Sequence, residues 1–161
     1  MTKNKDTDDL KIYPASKALQ KKAPLTNKDL NYVLQEANAG IENMRDDYLD
    51  WAKNDIVRLE SAYDILKANP DDLQKIKNVH WIAHDMKGQG GTFGYTLMTT
   101  VLDYLCTFLE ARSTMSKQDL KVTQLHINAA KTIISERLID SGGETGDQII
   151  LGLEKMIGTG E

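Results

Sequence analysis

From Ile41 to Leu138 the apolar residues return at three- and four-residue intervals, and the breaks between successive runs are only a few residues long. In the first long run Ile41, Met44, Tyr48, Trp51, Leu59, Ala62, Tyr63 and Leu66 fall on one stripe, which predicts a helix over 41–68. Asn69-Pro70-Asp71-Asp72 ends it and opens the next. Asn is a good N-cap, Pro suits the first helical position, and acids suit the positive end of the helix dipole. A second run covers 70–91. A third covers 95–112, with Leu97, Val101, Leu105, Phe108 and Leu109 inward. After a short break at 113–116, a fourth run covers 117–140 with Leu120, Ile127, Ala130, Ile134 and Leu138 on one side, and Ser141-Gly142-Gly143 stops it. Short connections between long amphipathic helices imply antiparallel neighbours. The expected fold is therefore all-α: an antiparallel up-down four-helix bundle.

Two additions flank the bundle. Thr26-Asn27-Lys28-Asp29 looks like an N-cap with an acidic first turn, predicting a short extra N-terminal helix that ends near Asn38-Ala39-Gly40. Residues 147–157 predict a small amphipathic C-terminal helix. Residues 1–25 have little apolar periodicity and are interrupted by Pro14 and Pro24, so we expect a flexible tail. The expected organisation is a tail over 1–25, a helical bundle over 26–140 and a C-terminal extension over 141–161.

The 161 residues suit a single domain with a real core, and 40 % hydrophobic with 27 % charged residues is ordinary for a globular protein. Net charge is -4, although residues 1–25 hold six Lys against three Asp, which leaves -7 for the remainder. That balance argues against nucleic-acid binding, which needs a basic surface. No apolar run is long enough to span a bilayer, and the leading segment lacks the apolar core of a signal peptide. The single Cys106 cannot form an internal disulfide, so a cytoplasmic location is expected.

The chemistry concentrates in Ala83-His84-Asp85-Met86-Lys87-Gly88-Gln89-Gly90-Gly91-Thr92-Phe93-Gly94. At about 100° per residue, Ile76, Val79, Ala83, Met86 and Gly90 gather on one side of a helix, and His80, His84, Lys87, Gly88 and Gly91 gather on the adjoining flank. His84 should emerge along a groove between two helices, reachable from solvent. Lys87 lies within reach of its ring and can stabilise negatively charged oxygens there. Gly88 leaves room for a partner to approach. A histidine titrating near neutrality supplies a neutral nucleophile. Each glycine costs about 1 kcal/mol in a helix interior, so Gly88, Gly90 and Gly91 mark either a loop or a close backbone approach.

The same residues carry a resemblance. His84, Lys87, Gly88, Gly90, Gly91, Phe93 and Gly94 are similar to the motif of the histidine-phosphotransfer (HPt) family of two-component phosphorelays. Leu105-Cys106-Thr107-Phe108-Leu109-Glu110 looks like the Leu-Cys-x-x-Leu-Glu often found on that family's next helix. Gly-Thr-Phe-Gly also resembles the phosphotransfer domain of chemotaxis kinases. The resemblance covers roughly 41–140 and is strongest over 80–112. It implies that His84 accepts a phosphoryl group from a receiver-domain aspartate, or a kinase, and passes it to another receiver. Lys87 would assist, and His80, Gly88, Gln89 and Gly91 would meet the partner. The implied partners are response-regulator receiver domains and a sensor (hybrid) histidine kinase. The carrier would be a monomer with no cofactor of its own, and Mg²⁺ would belong to the receiver. Gln89 departs from the usual Ser or Ala, and Cys106 stands where chemotaxis kinases carry a Glu that hydrogen-bonds the reactive imidazole.

Plainer readings stand beside these. His80 either helps orient the site or is simply exposed. His126 reads as a solvated surface residue, Trp51, Trp81 and Tyr95 as packing residues, and Cys106 as a small side chain rather than a nucleophile. A metal site from His80, His84, an acid and His126 would lack the dense ligand clustering of structural zinc sites, so none is expected. No phosphate loop or kinase signature is present, which predicts a carrier rather than an ATP-dependent enzyme. The competing function is a module that docks on receivers or kinases without transferring phosphate.

Overall fold

A computed structural model describes residues 27–158, and every regular element among them is an α-helix. In chain order these are α1 (Asn27–Ala68), α2 (Leu73–Thr92), α3 (Thr96–Glu110), α4 (Lys117–Ser135) and α5 (Gly143–Gly158). The expected tail over 1–25 lies outside the described residues. No described helix is long and apolar enough to cross a membrane.

The chain divides into residues 1–40 and residues 41–161. The described part of the first unit is helical and exposes Leu30, Tyr32, Val33 and Leu34. The expected separate helix ending near Gly40 is corrected, because α1 is continuous from Asn27 to Ala68. One glycine costs a helix only about 1 kcal/mol, and neither proline nor a capping side chain reinforces it there.

Within the second unit α2 packs on α3, α3 on α4 and α4 on α5. The core takes Tyr48, Ile56, Leu59 and Leu66 from α1, and Ile76, Val79, Ala83 and Met86 from α2. Leu102, Leu105 and Leu109 of α3 and Ile127, Ala130 and Ile133 of α4 complete it. Tyr63 Oη donates to Leu120 O at 2.9 Å, and Lys131 Nζ meets Glu60 Oε1 at 2.7 Å, which ties α1 to α4. The stripe on α1 is narrower than its spacing predicts, since Met44 and Trp51 are exposed. Tyr48 stacks on Phe93 with ring centroids 4.7 Å apart, and Trp51 only meets Phe93 edge-on.

The α1–α2 connection also differs from expectation. Asn69 closes α1, with its side-chain amide donating to Ile65 O at 2.9 Å. Asp72 then caps α2 by accepting from Gln74 N at 2.8 Å, so the helix begins at Leu73 and not at Pro70. The turns after α2 and after α4 use left-handed residues. At the end of α2, Gly94 has φ +83°, Tyr95 N bonds Gly90 O at 2.8 Å and Gly94 N bonds Gly91 O at 3.4 Å. That is the Schellman closure. The end of α4 repeats it with Arg137 at φ +52°, Leu138 N bonding Ile133 O and Arg137 N bonding Ile134 O. The helix predicted to reach 140 therefore stops at Ser135, and Leu138 packs on the core from the loop. Asp140 then stitches this loop to the α2–α3 turn, since its N bonds Gly94 O at 2.7 Å and its O accepts from Leu97 N at 2.8 Å.

At the opposite end Ser116 and Asp119 form a capping box for α4. Burial works to raise the Asp119 carboxyl, but hydrogen bonds from Ser116 and Arg112 hold it below the usual range. Arg112 also covers the Phe108 ring, 3.4 Å from its centroid. His126 corrects another expectation, for it is fully buried beside Phe108 and not solvated. Its Nδ1–H donates to Val122 O at 2.8 Å, while Nε2 has no partner among the described residues.

Burial disfavours the imidazolium, so the folded-state pKa of His126 lies below the ordinary value of about 6.5. The unfolded chain therefore binds the proton first, and stability is lost as pH falls from about 6.5 toward the folded value. We predict a urea midpoint that falls between pH 7 and pH 5.5. The fall should shrink in His126→Phe, as measured by circular dichroism. An equal fall in both proteins contradicts this assignment.

Candidate functional site

The site is built on α2. Its buried line, Ile76, Val79, Ala83, Met86 and Gly90, faces the core. A helix advances about 100° per residue, so that line turns His84 outward. His84 is exposed, Lys87 is half-buried and Gly88 is exposed, as are Gly91 and Trp81. The helix continues through all three glycines to Thr92. A Cβ on Gly90 would stand 3.2 Å from Met98 Cβ, Thr99 Oγ1 and Tyr95 O, so close approach to α3 explains this glycine. Gly91 is looser, with Thr99 Oγ1 at 3.4 Å. Gly88 differs in kind, because a Cβ there meets nothing within 4 Å.

Gln89 is half-buried, and helical geometry turns it about 140° around the axis from His84, off the flank shared by His80, His84, Lys87, Gly88 and Gly91.

Two side-chain contacts cross from α2 to α3 on this flank. Lys87 Nζ donates to Asp103 Oδ1 at 3.0 Å. That hydrogen bond pushes the Lys87 pKa above its ordinary value, so the ammonium stays charged. His80 Nε2 lies 2.9 Å from Glu110 Oε1. The His80 and His84 rings are near parallel at 26°, with centroids 6.1 Å apart. Among the described residues no hydrogen bond reaches the His84 ring, although the chain does carry Glu110 at the end of α3. Cys106 is buried, and its thiol is pushed up to about 11 by desolvation, which keeps it protonated. That suits a packing residue rather than a nucleophile.

His84 opens into a groove of about 570 Å³ lined also by Leu73, Ile76, Lys77, His80, Trp81, Leu109, Glu110 and Arg112. Trp81 is not a packing residue, since 65 % of it is exposed. Its place was legible in the sequence, because positions 73, 77, 80, 81 and 84 share a flank at 100° per residue. Asp103 and Glu110 were less legible, because their role depends on how α3 faces α2. Among the described residues no group of three or more His, Cys, Asp or Glu is arranged to hold a metal ion. Chemically, the arrangement offers an open imidazole, an ammonium on the same flank and a backbone cleared of side chains.

No protein-family model matches the chain, and no curated protein or solved structure does either.

The two kinds of glycine separate in stability. Gly88→Ala should stabilise the protein by up to about 1 kcal/mol through helix propensity. Gly90→Val should destabilise it by about 1–3 kcal/mol through overpacking against α3. Urea unfolding checks both, and a destabilised Gly88→Ala would mean that position 88 is not open.

Proposed function

We propose that this protein is a histidine phosphotransfer carrier in a two-component phosphorelay. The observation that carries this reading is the exposed His84 imidazole, with the Lys87 ammonium and the open Gly88 on the same flank. A lone pair on one ring nitrogen attacks phosphorus in the aspartyl phosphate of a receiver domain. The N–P bond forms as the P–O bond to the aspartate breaks, and the carboxylate leaves with the electron pair. The proton on the other ring nitrogen stays on the ring or passes to water. The reverse steps deliver the phosphoryl group to a second receiver. Lys87 turns from Asp103 toward the phosphoryl oxygens, and its charge stabilises them. Gly88 lets the receiver come close.

The carrier has no ATP-binding site of its own in this reading, so a sensor (hybrid) histidine kinase supplies phosphate through a receiver. Any Mg²⁺ sits in the receiver's acidic pocket. The reading takes α1 from residue 41 on, together with α2, α3 and α4, as an antiparallel up-down four-helix bundle. The bundle works as a cytoplasmic monomer, with neither nucleic acid nor membrane as partner.

A second reading draws on the Lys87–Asp103 pair and on the absence, among the described residues, of an acceptor for the His84 ring. Both suit a module that docks on receivers or kinases and regulates them without taking phosphate.

Incubation with a ³²P-labelled receiver domain separates the two. The carrier reading expects acid-labile label on the wild type and none on His84→Gln. Lys87→Ala should slow transfer by about 10- to 100-fold, the worth of a hydrogen bond to a charged group. Gly88→Gln should weaken docking with little loss of stability. Binding without label, unchanged in His84→Gln but lost in Gly88→Gln, favours the docking module.

A further inference from the structure

An exposed imidazole rotates about two side-chain torsions, and a nucleophile that must meet phosphorus in line gains from having that freedom reduced. Nothing accepts a hydrogen bond from the His84 ring among the described residues. What lies against it is another ring. His80, one helical turn earlier on α2, holds its imidazole within 26° of parallel to His84 at a centroid separation of 6.1 Å. That separation is within the range of about 4.5–7 Å in which aromatic rings attract one another.

His80 is itself anchored. Its side chain is 22 % exposed, and its Nε2 lies 2.9 Å from Glu110 Oε1 on α3. A carboxylate can only accept, so Nε2 carries the proton and donates it. This contact sets both the tautomer and the plane of the His80 ring, as a carboxylate does for a metal-bound histidine. Glu110 thus reaches the His84 ring through His80, from a helix thirty residues away in sequence.

We infer that His80, held by Glu110, is a positioning residue for His84: it restrains the orientation of the reactive ring by stacking. The role in transfer rests on the carrier reading, while the restraint on the ring does not.

Two measurements test it. With saturating ³²P-labelled receiver, His80→Ala should lower the transfer rate constant about tenfold and leave KM within about twofold. His80→Phe keeps a ring and should recover most of the rate, and Glu110→Ala should fall between. Independently, ¹³C relaxation of the His84 Cδ2–Hδ2 group in the unphosphorylated protein should show a lower order parameter in His80→Ala and recovery in His80→Phe. An unchanged rate and order parameter in His80→Ala overturns the inference. So does His80→Phe behaving like His80→Ala, or a loss confined to KM, which would make His80 a docking residue. If the wild type takes no label, the carrier reading fails and the order parameters alone decide this one.

Discussion

The close approach of α2 to α3 sets the phase of α2, and that phase decides which of its side chains meet the core and which meet solvent. Gly90 lets the helices come together, with Met98, Thr99 and Tyr95 O all 3.2 Å from where its Cβ would be. The hairpin is then pinned at both ends. Asp140 bonds the α2–α3 turn on both its N–H and its carbonyl, and Met115 N reaches Pro70 O at 2.9 Å at the far end. Burying a Val, Ile or Met side chain is worth about 1.5–3 kcal/mol, and α2 buries Ile76, Val79 and Met86 on one line. An exposed ion pair is worth about 0–1 kcal/mol. Core packing therefore fixes the rotation of α2, and the Lys87–Asp103 and His80–Glu110 pairs follow from it.

Those two pairs make sense as devices that aim side chains rather than hold the fold. Both span the same two helices on the flank that carries His84. Asp103 is more than half exposed, so it can release the Lys87 ammonium at little cost when a more negative group arrives nearby. Glu110 is also exposed, but the ring it holds is mostly covered, which makes the His80 end of that pair the more rigid one. One flank therefore combines a movable cation with a restrained ring, and the open backbone at Gly88 lies beside both.

Much of this was readable from periodicity. The buried line of α2, from Ile76 to Gly90, follows from 100° per residue, and so does the outward direction of His84. The inward residues of α3 are similarly plain, because Leu97, Val101, Leu105 and Leu109 recur at helical spacing. Three things were hidden for physical reasons. Gly40 resembles a helix stop, but a lone glycine without a following left-handed turn is too weak to end a helix. Arg137 does end one, in a conformation usually left to glycine, so composition pointed five residues too far to Ser141-Gly142-Gly143. His126 looked like a surface residue because its polarity is visible in sequence. Its bond to Val122 O and its packing on Phe108 appear only once α3 and α4 are together. Asp103 and Glu110 belong to the same class, since cross-helix partners depend on the register of two helices and not on either one.

The account stands or falls on His84 being the one histidine of the three that an electrophile can reach and that no carboxylate or carbonyl among the described residues already holds. Phosphoramidate, a small phosphoryl donor that needs no partner protein, tests this directly. Treated at neutral pH and mapped by mass spectrometry without acid, the folded protein should carry a single phosphoryl group, on His84. Label arriving first on His80 or His126, or none on His84, would contradict the account.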